Sequence, residues 1–400
     1  MKKGMKRCIA LLAAGMMAFS MASCAAVKDA LDGLLGGGSN TNSESIVLKN
    51  VVEAKNVILF IGDGMGPEQI KAGELYKGET LTMQNFPYQT KMKTASASST
   101  ITDSAAAATA LATGTRTTNG LVGRDPTGKD LKTIVDVASS LGKRTGILTT
   151  EEIYKATPMG FAGHSASRDN YEELLASAVA TGNVNLFASF KVSDPYRKTY
   201  EEAGYQKIGN VADLSEATAD KVYGSYTIRA NAPSMSAGEE MGTIAFNRVV
   251  VEALEYLSKD EDGFFLMAEG SHIDHGGHNN EMMYMLQELL AFDEAIQAAL
   301  EWAKNRDDTV VIVTADHETG GLVLSDEATN DNLLDMDSKD GGLSYTPTYY
   351  TWTSTSHTST DVNFYINGAD IDFSAYSQES DEYILNIDTF QIIKDLFGAD

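Results

Sequence analysis

Cysteine is nearly missing from this 400-residue chain: Cys8 and Cys24 are the whole complement. Cys8 lies in a leader that processing would remove, so the mature chain has no pair left for an internal disulfide. Basic charge is short as well, with 31 lysines and arginines against 56 aspartates and glutamates and a formal charge of −25. That imbalance argues against nucleic acid or an anionic bilayer as an electrostatic partner. An anionic substrate would need strong local cations, which metal ions can supply. After the leader no run is long and apolar enough to span a membrane, and no internal repeat is present, which sets aside spanning and solenoid architectures.

What is present begins with an address. Lys2, Lys3, Lys6 and Arg7 precede an apolar run from Ile9 to Met21, and the chain then reaches Met21-Ala22-Ser23-Cys24. Residues 1–23 read as a secretory signal, too short and wrongly flanked for a spanning helix. The small residues before Cys24 resemble a bacterial lipobox, which predicts cleavage there and lipidation of the thiol; ordinary cleavage nearby without lipid is the alternative. The expected location is therefore the cell envelope, in the periplasm or at the outer membrane. Residues 24–46, containing LLGGGSNTNSES, read as a flexible tether, and the folded body is expected over 47–400.

Within the body, apolar β-rich runs alternate with helical patterns. NVILFI before Gly62, RTGILTT from Arg144, FFLMAE from Phe264 and TVVIVTAD from Thr309 read as buried strands. Helices are expected over Ser104–Ala112, Asn170–Ala180, Glu239–Ser258 and Asn280–Asn305. The alternation predicts an α/β fold, a three-layer α/β/α sandwich around a central, mostly parallel sheet. Ligands of such sheets gather beyond the carboxyl ends of the strands. Asp63, Thr157, Glu269 and Asp316 all fall at or just after predicted strands, so they can converge from far apart. Residues 184–236 and 325–354 are less periodic and richer in Tyr, Ser, Asn and Asp, and are expected to be short insertions over the site or at an interface.

The stretch from Thr102 to Gly114, TDSAAAATALATG, places a hydroxyl beside a carboxylate at the start of an alanine-rich helix. Free backbone amides and the positive end of the helix dipole favour a bound anion there, and a developing alkoxide on Ser104. Asp103 and Ser104 as mere helix caps are the plainer alternative. All six histidines fall in four places: His164; His272, His275 and His278; His317; and His357. Most lie near a carboxylate, in what read as loops following strands. The segment from Glu269 to His278 offers a glutamate, an aspartate and three imidazoles, and Asp316-His317 adds adjacent oxygen and nitrogen donors. Such mixed donors suit zinc, whereas the all-oxygen set of Asp63, Thr157 and Glu269 suits magnesium. His164 and His272 are read as structural histidines.

The ordered motifs FIGDGMG, TDSAAAATALATG, ATPMGFAGHSASR, EGSHIDHGGH, TADHETGG and a late His-Thr at His357 resemble the bacterial alkaline phosphatase family over most of residues 55–397. The resemblance implies two zinc ions and one magnesium. One zinc would be held by Asp274, His278 and His357, the other by Asp63, Asp316 and His317. Asp63 would bridge the second zinc to the magnesium, whose other protein ligands would be Thr157 and Glu269. Ser104 would be the nucleophile, Arg168 would grip the phosphate, and Asp103 would orient Arg168. The chemistry asks for the same parts: a serine is a poor nucleophile until a cation lowers its pKa, and paired cations clamp both apical oxygens of an in-line displacement. Arg168 offers a planar fork that a lysine cannot match; a surface ion pair with Asp169 or a glutamate is its alternative.

Three positions depart from the family pattern. Lys155 stands where aspartate or histidine accompanies the magnesium site, His275 occupies a variable position beside Asp274, and Ser359 replaces a glycine after the late His-Thr. The expected function is hydrolysis of small phosphate monoesters through a phosphoserine, in a protein touching membrane only through lipid at Cys24. The resemblance also implies a homodimer. A phosphodiesterase or mutase of the same superfamily is the sibling reading. A non-catalytic envelope lipoprotein that captures metal or phosphate would need the ligands but not Ser104, and an interaction protein using its acidic surface would leave the motifs unexplained.

Overall fold

The computed structural model describes residues 45–190, 192–228, 244–339, 344–376 and 382–399. The leader and nearly all of the tether, with Cys24, lie outside the described residues. Ten strands form one sheet: β1 (Asn56–Gly62), β2 (Tyr88–Lys93), β3 (Arg144–Glu152), β4 (Leu186–Phe190), β5 (Gln206–Ile208), β6 (Val222–Tyr226), β7 (Phe264–Gly270), β8 (Thr309–Thr314), β9 (Val362–Asn367) and β10 (Tyr383–Leu385). Their spatial order is β10-β2-β9-β8-β1-β7-β3-β4-β6-β5. All neighbours run parallel except β9, which is antiparallel to both β2 and β8. The four apolar runs form β1, β3, β7 and β8. Every residue of β1, β7 and β8 is buried, as expected of strands covered on both faces.

Among the described residues, ten α-helices connect and cover the sheet: α1 (Pro67–Lys77), α2 (Ser104–Thr113), α3 (Ile134–Ser140), α4 (Ala156–Ala162), α5 (Tyr171–Thr181), α6 (Asp194–Glu202), α7 (Phe246–Leu257), α8 (His272–Asn279), α9 (Met282–Ala303) and α10 (Asp388–Leu396). Successive side chains of a strand point to opposite faces. On β7, Phe264 meets Trp302 of α9 edge to face, while Phe265 meets Phe161 of α4. The first face carries α1, α7 and α9, and the second carries α2, α3 and α4, which makes three layers. Burying each of these phenylalanine rings contributes about 1.5–3 kcal/mol.

Helix α2 is buried along all ten of its residues, and its composition explains how. Six alanines leave so little bulk that α4 packs directly against it; a Cβ added to Gly160 would come within 2.5 Å of the Ala108 Cβ. Asp103 caps the helix by accepting a hydrogen bond from the Ala106 amide at 3.0 Å. Ser104, the first residue of α2, is thus carried on a rigid element.

Two expectations need correcting. The described residues of 184–236, which end at 228, are not an insertion, because within them β4, β5 and β6 complete one edge of the main sheet. The tyrosines that made this stretch read as polar are the packing of that edge. Tyr200 stacks on Tyr223 at 4.7 Å between ring centroids, and Tyr205 sits beside both Tyr200 and Phe187. Residues 272–279, read as loop, form helix α8, because Gly276 and Gly277 lie where close packing leaves no room for a side chain. Added Cβ atoms there would meet the Met285 backbone at 2.6 Å and the Thr319 carbonyl oxygen at 2.5 Å. Helix α7 starts at Phe246, later than the expected Glu239, which lies outside the described residues. The stretch 325–354 stands off the main sheet. Residues 322–324 pair antiparallel with 350–352, and 336–339 with 344–347.

Candidate active site

The carboxyl ends of β1, β7, β8 and β3 converge beside the start of α2. After β1 the chain turns through Asp63-Gly64; Gly64 has φ +76° and an added Cβ would sit 2.6 Å from the Asp274 Cα. Glycine alone satisfies both demands, and the turn brings the FIGDGMG and EGSHIDHGGH segments into contact. Beyond β8, Asp316 Oδ1 accepts from the Gly64 amide at 3.2 Å, fixing the same turn from the other side.

Two clusters of metal-ligand type result. In the first, His278 Nε2 lies 3.4 Å and His357 Nε2 3.6 Å from Asp274 carboxylate oxygens. In the second, His317 Nε2 lies 3.2 Å from Asp316 Oδ2 and 3.6 Å from Asp63 Oδ1. The rings of His317 and His357 stack with centroids 3.5 Å apart, so the clusters share a wall. In each imidazole the other nitrogen is engaged: His278 Nδ1 with the Thr355 carbonyl at 2.7 Å, His357 Nδ1 with the Thr102 carbonyl at 2.9 Å. A carbonyl only accepts, so Nδ1 carries the proton and Nε2 offers its lone pair inward.

His317 reaches the same tautomer through Thr319. The Thr319 hydroxyl donates to Asp274 Oδ1 at 2.5 Å and lies 3.2 Å from His317 Nδ1. Having given its one proton to the carboxylate, it can only accept from the imidazole N–H. Thr319 therefore ties one cluster to the other. A two-residue ladder, His357 with Thr319 and Thr358 with Glu318, joins the two segments, and buried Glu318 anchors it by accepting from Gln69 at 2.7 Å and from the Thr358 hydroxyl. Sequence reasoning passed over Thr319 and Glu318 although both lie in TADHETGG. Their signal was a polar pair directly after two ligand-type residues.

The oxygen donors are poised in the same way. Asp63 Oδ1, Asp316 Oδ2 and Thr157 Oγ1 are buried with no hydrogen-bond partner, an arrangement that costs ~1–3 kcal/mol per atom unless a ligand satisfies it. Burial, and then the charges of Asp316, Asp274 and Glu269, hold the Asp63 carboxyl well above its usual range. Burial pushes Glu269 up to about 8, against the Thr149 hydroxyl that donates to it at 2.5 Å, and raises Asp316 to about 6. Burial, helped by His357, holds the His317 imidazole well below its usual value and so neutral. Crowded buried carboxylates beside neutral imidazoles are what a divalent cation relieves. The residues present fit the metals.

Ser104 Oγ lies 3.2 Å from His317 Nε2, at the edge of the second cluster. Arg168 Nη1 donates to Asp103 Oδ2 at 3.1 Å, an oxygen that also accepts from the Gly120 amide at 3.0 Å. Asp103 is thus both the helix cap and the anchor of Arg168. Asp63, Ser104, Thr157, Arg168, Glu269 and Asp274 line one cleft of about 120 Å³, together with Glu151, Lys155 and His275. All eleven predicted site residues lie in this region. His164 does not join them; its Nε2 meets the Leu131 carbonyl at 2.8 Å, a structural contact.

The family model described as alkaline phosphatase matches residues 54–194 and 194–382. The chain belongs to the alkaline phosphatase family. Alkaline phosphatase 4 of Bacillus subtilis is 32% identical over 324 residues, covering 75% of this chain and 69% of its own. The alkaline phosphatase of Escherichia coli is 32% identical over 359 residues, 72% of this chain and 76% of its own. Among solved structures, the alkaline phosphatase of the Antarctic bacterium TAB5 superposes with a TM-score of 0.71 at 29% identity over 88% of this chain and 100% of that one. A mutant of that enzyme with Mg bound in its M3 site gives 0.72 at the same identity and coverage. The protein is accordingly an alkaline phosphatase enzyme, a metal-dependent hydrolase of phosphate monoesters.

Proposed function

We propose that this alkaline phosphatase works through a phosphoserine at Ser104, with two zinc ions and one magnesium. Asp274, His278 and His357 would hold one zinc, Asp63, Asp316 and His317 the other, and Asp63, Thr157 and Glu269 the magnesium. When bound, these cations supply the Lewis acidity that makes a serine alkoxide accessible and neutralises charge on the phosphoryl group. The observation that carries the reading is the placement of Ser104 Oγ, 3.2 Å from an inward-facing ligand-type nitrogen and at a helix N-terminus.

The Ser104 oxygen attacks phosphorus in line, forming the Oγ–P bond as the bond to the leaving alcohol oxygen breaks. Arg168, held by Asp103, presents its two remaining N–H faces to equatorial phosphoryl oxygens, and the free amides of the first turn of α2 face the same charge. Water then attacks the phosphoserine, the Oγ–P bond breaks, and inorganic phosphate leaves. Both the guanidinium and the magnesium-type site serve charged oxygens that a diester has fewer of, which favours monoesters. Among the described residues none is identified that grips a particular leaving group, which supports a broad substrate range.

The leader and the residues around Cys24 support export and lipid anchoring at the cell envelope, and the family resemblance supports a homodimer. The deciding experiment is acid quenching of the zinc- and magnesium-loaded enzyme during turnover of a chromogenic monoester, followed by peptide mass analysis. A stoichiometric phosphate on the peptide containing Ser104 is expected. Its absence, with turnover intact, overturns the phosphoserine route.

A further inference from the structure

A third group of metal-ligand type lies outside the two clusters described above. Glu151 stands near the carboxyl end of β3, and His272 and His275, three residues apart, share one face of α8. The two imidazole Nε2 atoms lie 3.4 and 3.7 Å from one oxygen, Glu151 Oε2. We propose that Glu151, His272 and His275 form a further binding site for a divalent cation of the zinc class, at the rim of the active-site cleft. The proposal does not depend on Ser104 or on the phosphoserine route.

Spacing is the first argument. A tetrahedral ion with bonds of ~2.1 Å sets its donors ~3.4 Å apart. The separations at Glu151 match this, and they match the 3.4 and 3.6 Å around Asp274 and the 3.6 and 3.2 Å around His317. An ion pair would need only one imidazole against the carboxylate, whereas here two nitrogens and an oxygen all lie within 4.8 Å of one another.

The backing of the donors is the second argument. Glu151 Oε1 accepts from the Glu152 amide at 3.0 Å, which leaves Oε2 to face the imidazoles. Behind His272, Nδ1 faces Glu288 Oε2 of α9 at 3.9 Å, so a carboxylate stands on the far side of the ring from the proposed ion, as it does behind many zinc-binding histidines. His272, read from sequence as structural, is thereby a ligand candidate. Two nitrogens and one carboxylate oxygen leave a fourth position open. Glu151 and His275 line the cleft, so that position is accessible from it.

The test is zinc content per chain of the full protein, equilibrated with buffered zinc and magnesium, for wild type, His275→Ala and Glu151→Gln. The His275 side chain is about half exposed, so its substitution is expected to leave the fold intact, and Glu151→Gln keeps shape while weakening the donor. The wild type is expected to hold one zinc equivalent more than either variant. Crystals of the wild type are expected to show an anomalous zinc peak between Glu151 Oε2 and the two Nε2 atoms, absent in both variants. Equal zinc in all three proteins, or no peak at that point while the two central clusters are filled, overturns the proposal. A peak seen only in crystals soaked in excess zinc, with no difference in solution, overturns it as well.

Discussion

The hydroxyl of Thr319 stands between Asp274 and His317, donating to the first at 2.5 Å and lying 3.2 Å from Nδ1 of the second. One hydroxyl thereby sets the carboxylate orientation in one cluster of metal-ligand type and the imidazole tautomer in the other. Replacing it by Thr319→Val keeps the volume and deletes both contacts. Zinc affinity, measured by competition with a chelator, is expected to fall by ~10–100-fold, with Thr319→Ser restoring most of it. Unchanged affinity in the valine variant would show that the tautomer is set elsewhere.

Ser104→Ala removes the oxygen proposed to attack phosphorus and leaves the ligand-type residues in place. Turnover of a chromogenic monoester is expected to drop by ~10³-fold or more, while zinc content stays within experimental error. Near wild-type turnover would falsify the assignment of Ser104 as nucleophile.

The raised carboxyls make the metal-free protein sensitive to alkali. Folded, Glu269 holds its proton up to about 8 and Asp316 up to about 6, values well above those of the unfolded chain. Between the two sets of pKa values the folded state binds more protons, so metal-free stability falls as pH rises through that window. A bound cation replaces those protons, and metal affinity therefore rises over the same range. Melting temperatures of the chelator-treated protein should decline from about pH 5 to about pH 9, and the gain on adding zinc and magnesium should grow. A metal-free melting temperature that climbs over this range contradicts the account.

Lys155 lines the cleft beside Thr157 and Glu269, with its ammonium 3.9 Å from Glu152 Oε2. A positive charge there repels a magnesium ion and attracts a phosphate dianion. Lys155→Asp is expected to bind magnesium more tightly and to be inhibited less by inorganic phosphate. The readouts are activity titrated with Mg²⁺ and the phosphate inhibition constant, side by side with wild type. Shifts below about twofold in both, ~0.4 kcal/mol, would place the lysine outside the field of the site.

The central strands, and the polar residues that gather at their ends, were legible in the sequence because their physics is local. NVILFI and TVVIVTAD are apolar without interruption, as strands covered on both faces must be, and Asp63 and Asp316 follow at their ends. Beyond the centre, pattern gave way to packing. Tyr200, Tyr205 and Tyr223 belong to a stretch without clear period that read as an insertion, yet their rings fill the edge of the sheet. The helix of His272 to Asn279 holds two glycines that lower its local propensity, and it forms because the Met285 backbone and the Thr319 carbonyl crowd against them. Thr319 and Glu318 act through a ladder with residues near position 357, a pairing that no local period reveals.

That ladder also separates what the chain can vary from what it must keep. The excursion between Gly320 and Ser356 is pinched at its base, where two histidines of metal-ligand type enter and leave, and a second short pairing of 322–324 with 350–352 closes it again one step further out. Because closing a longer loop costs only slowly more, ~0.6 kcal/mol per doubling, the outer part can be trimmed, extended or exchanged while the base stays in register. The described part of this excursion is thus pinned by two short pairings next to His317 and His357, and changes in its outer part can be accommodated without disturbing the register that sets those two side chains.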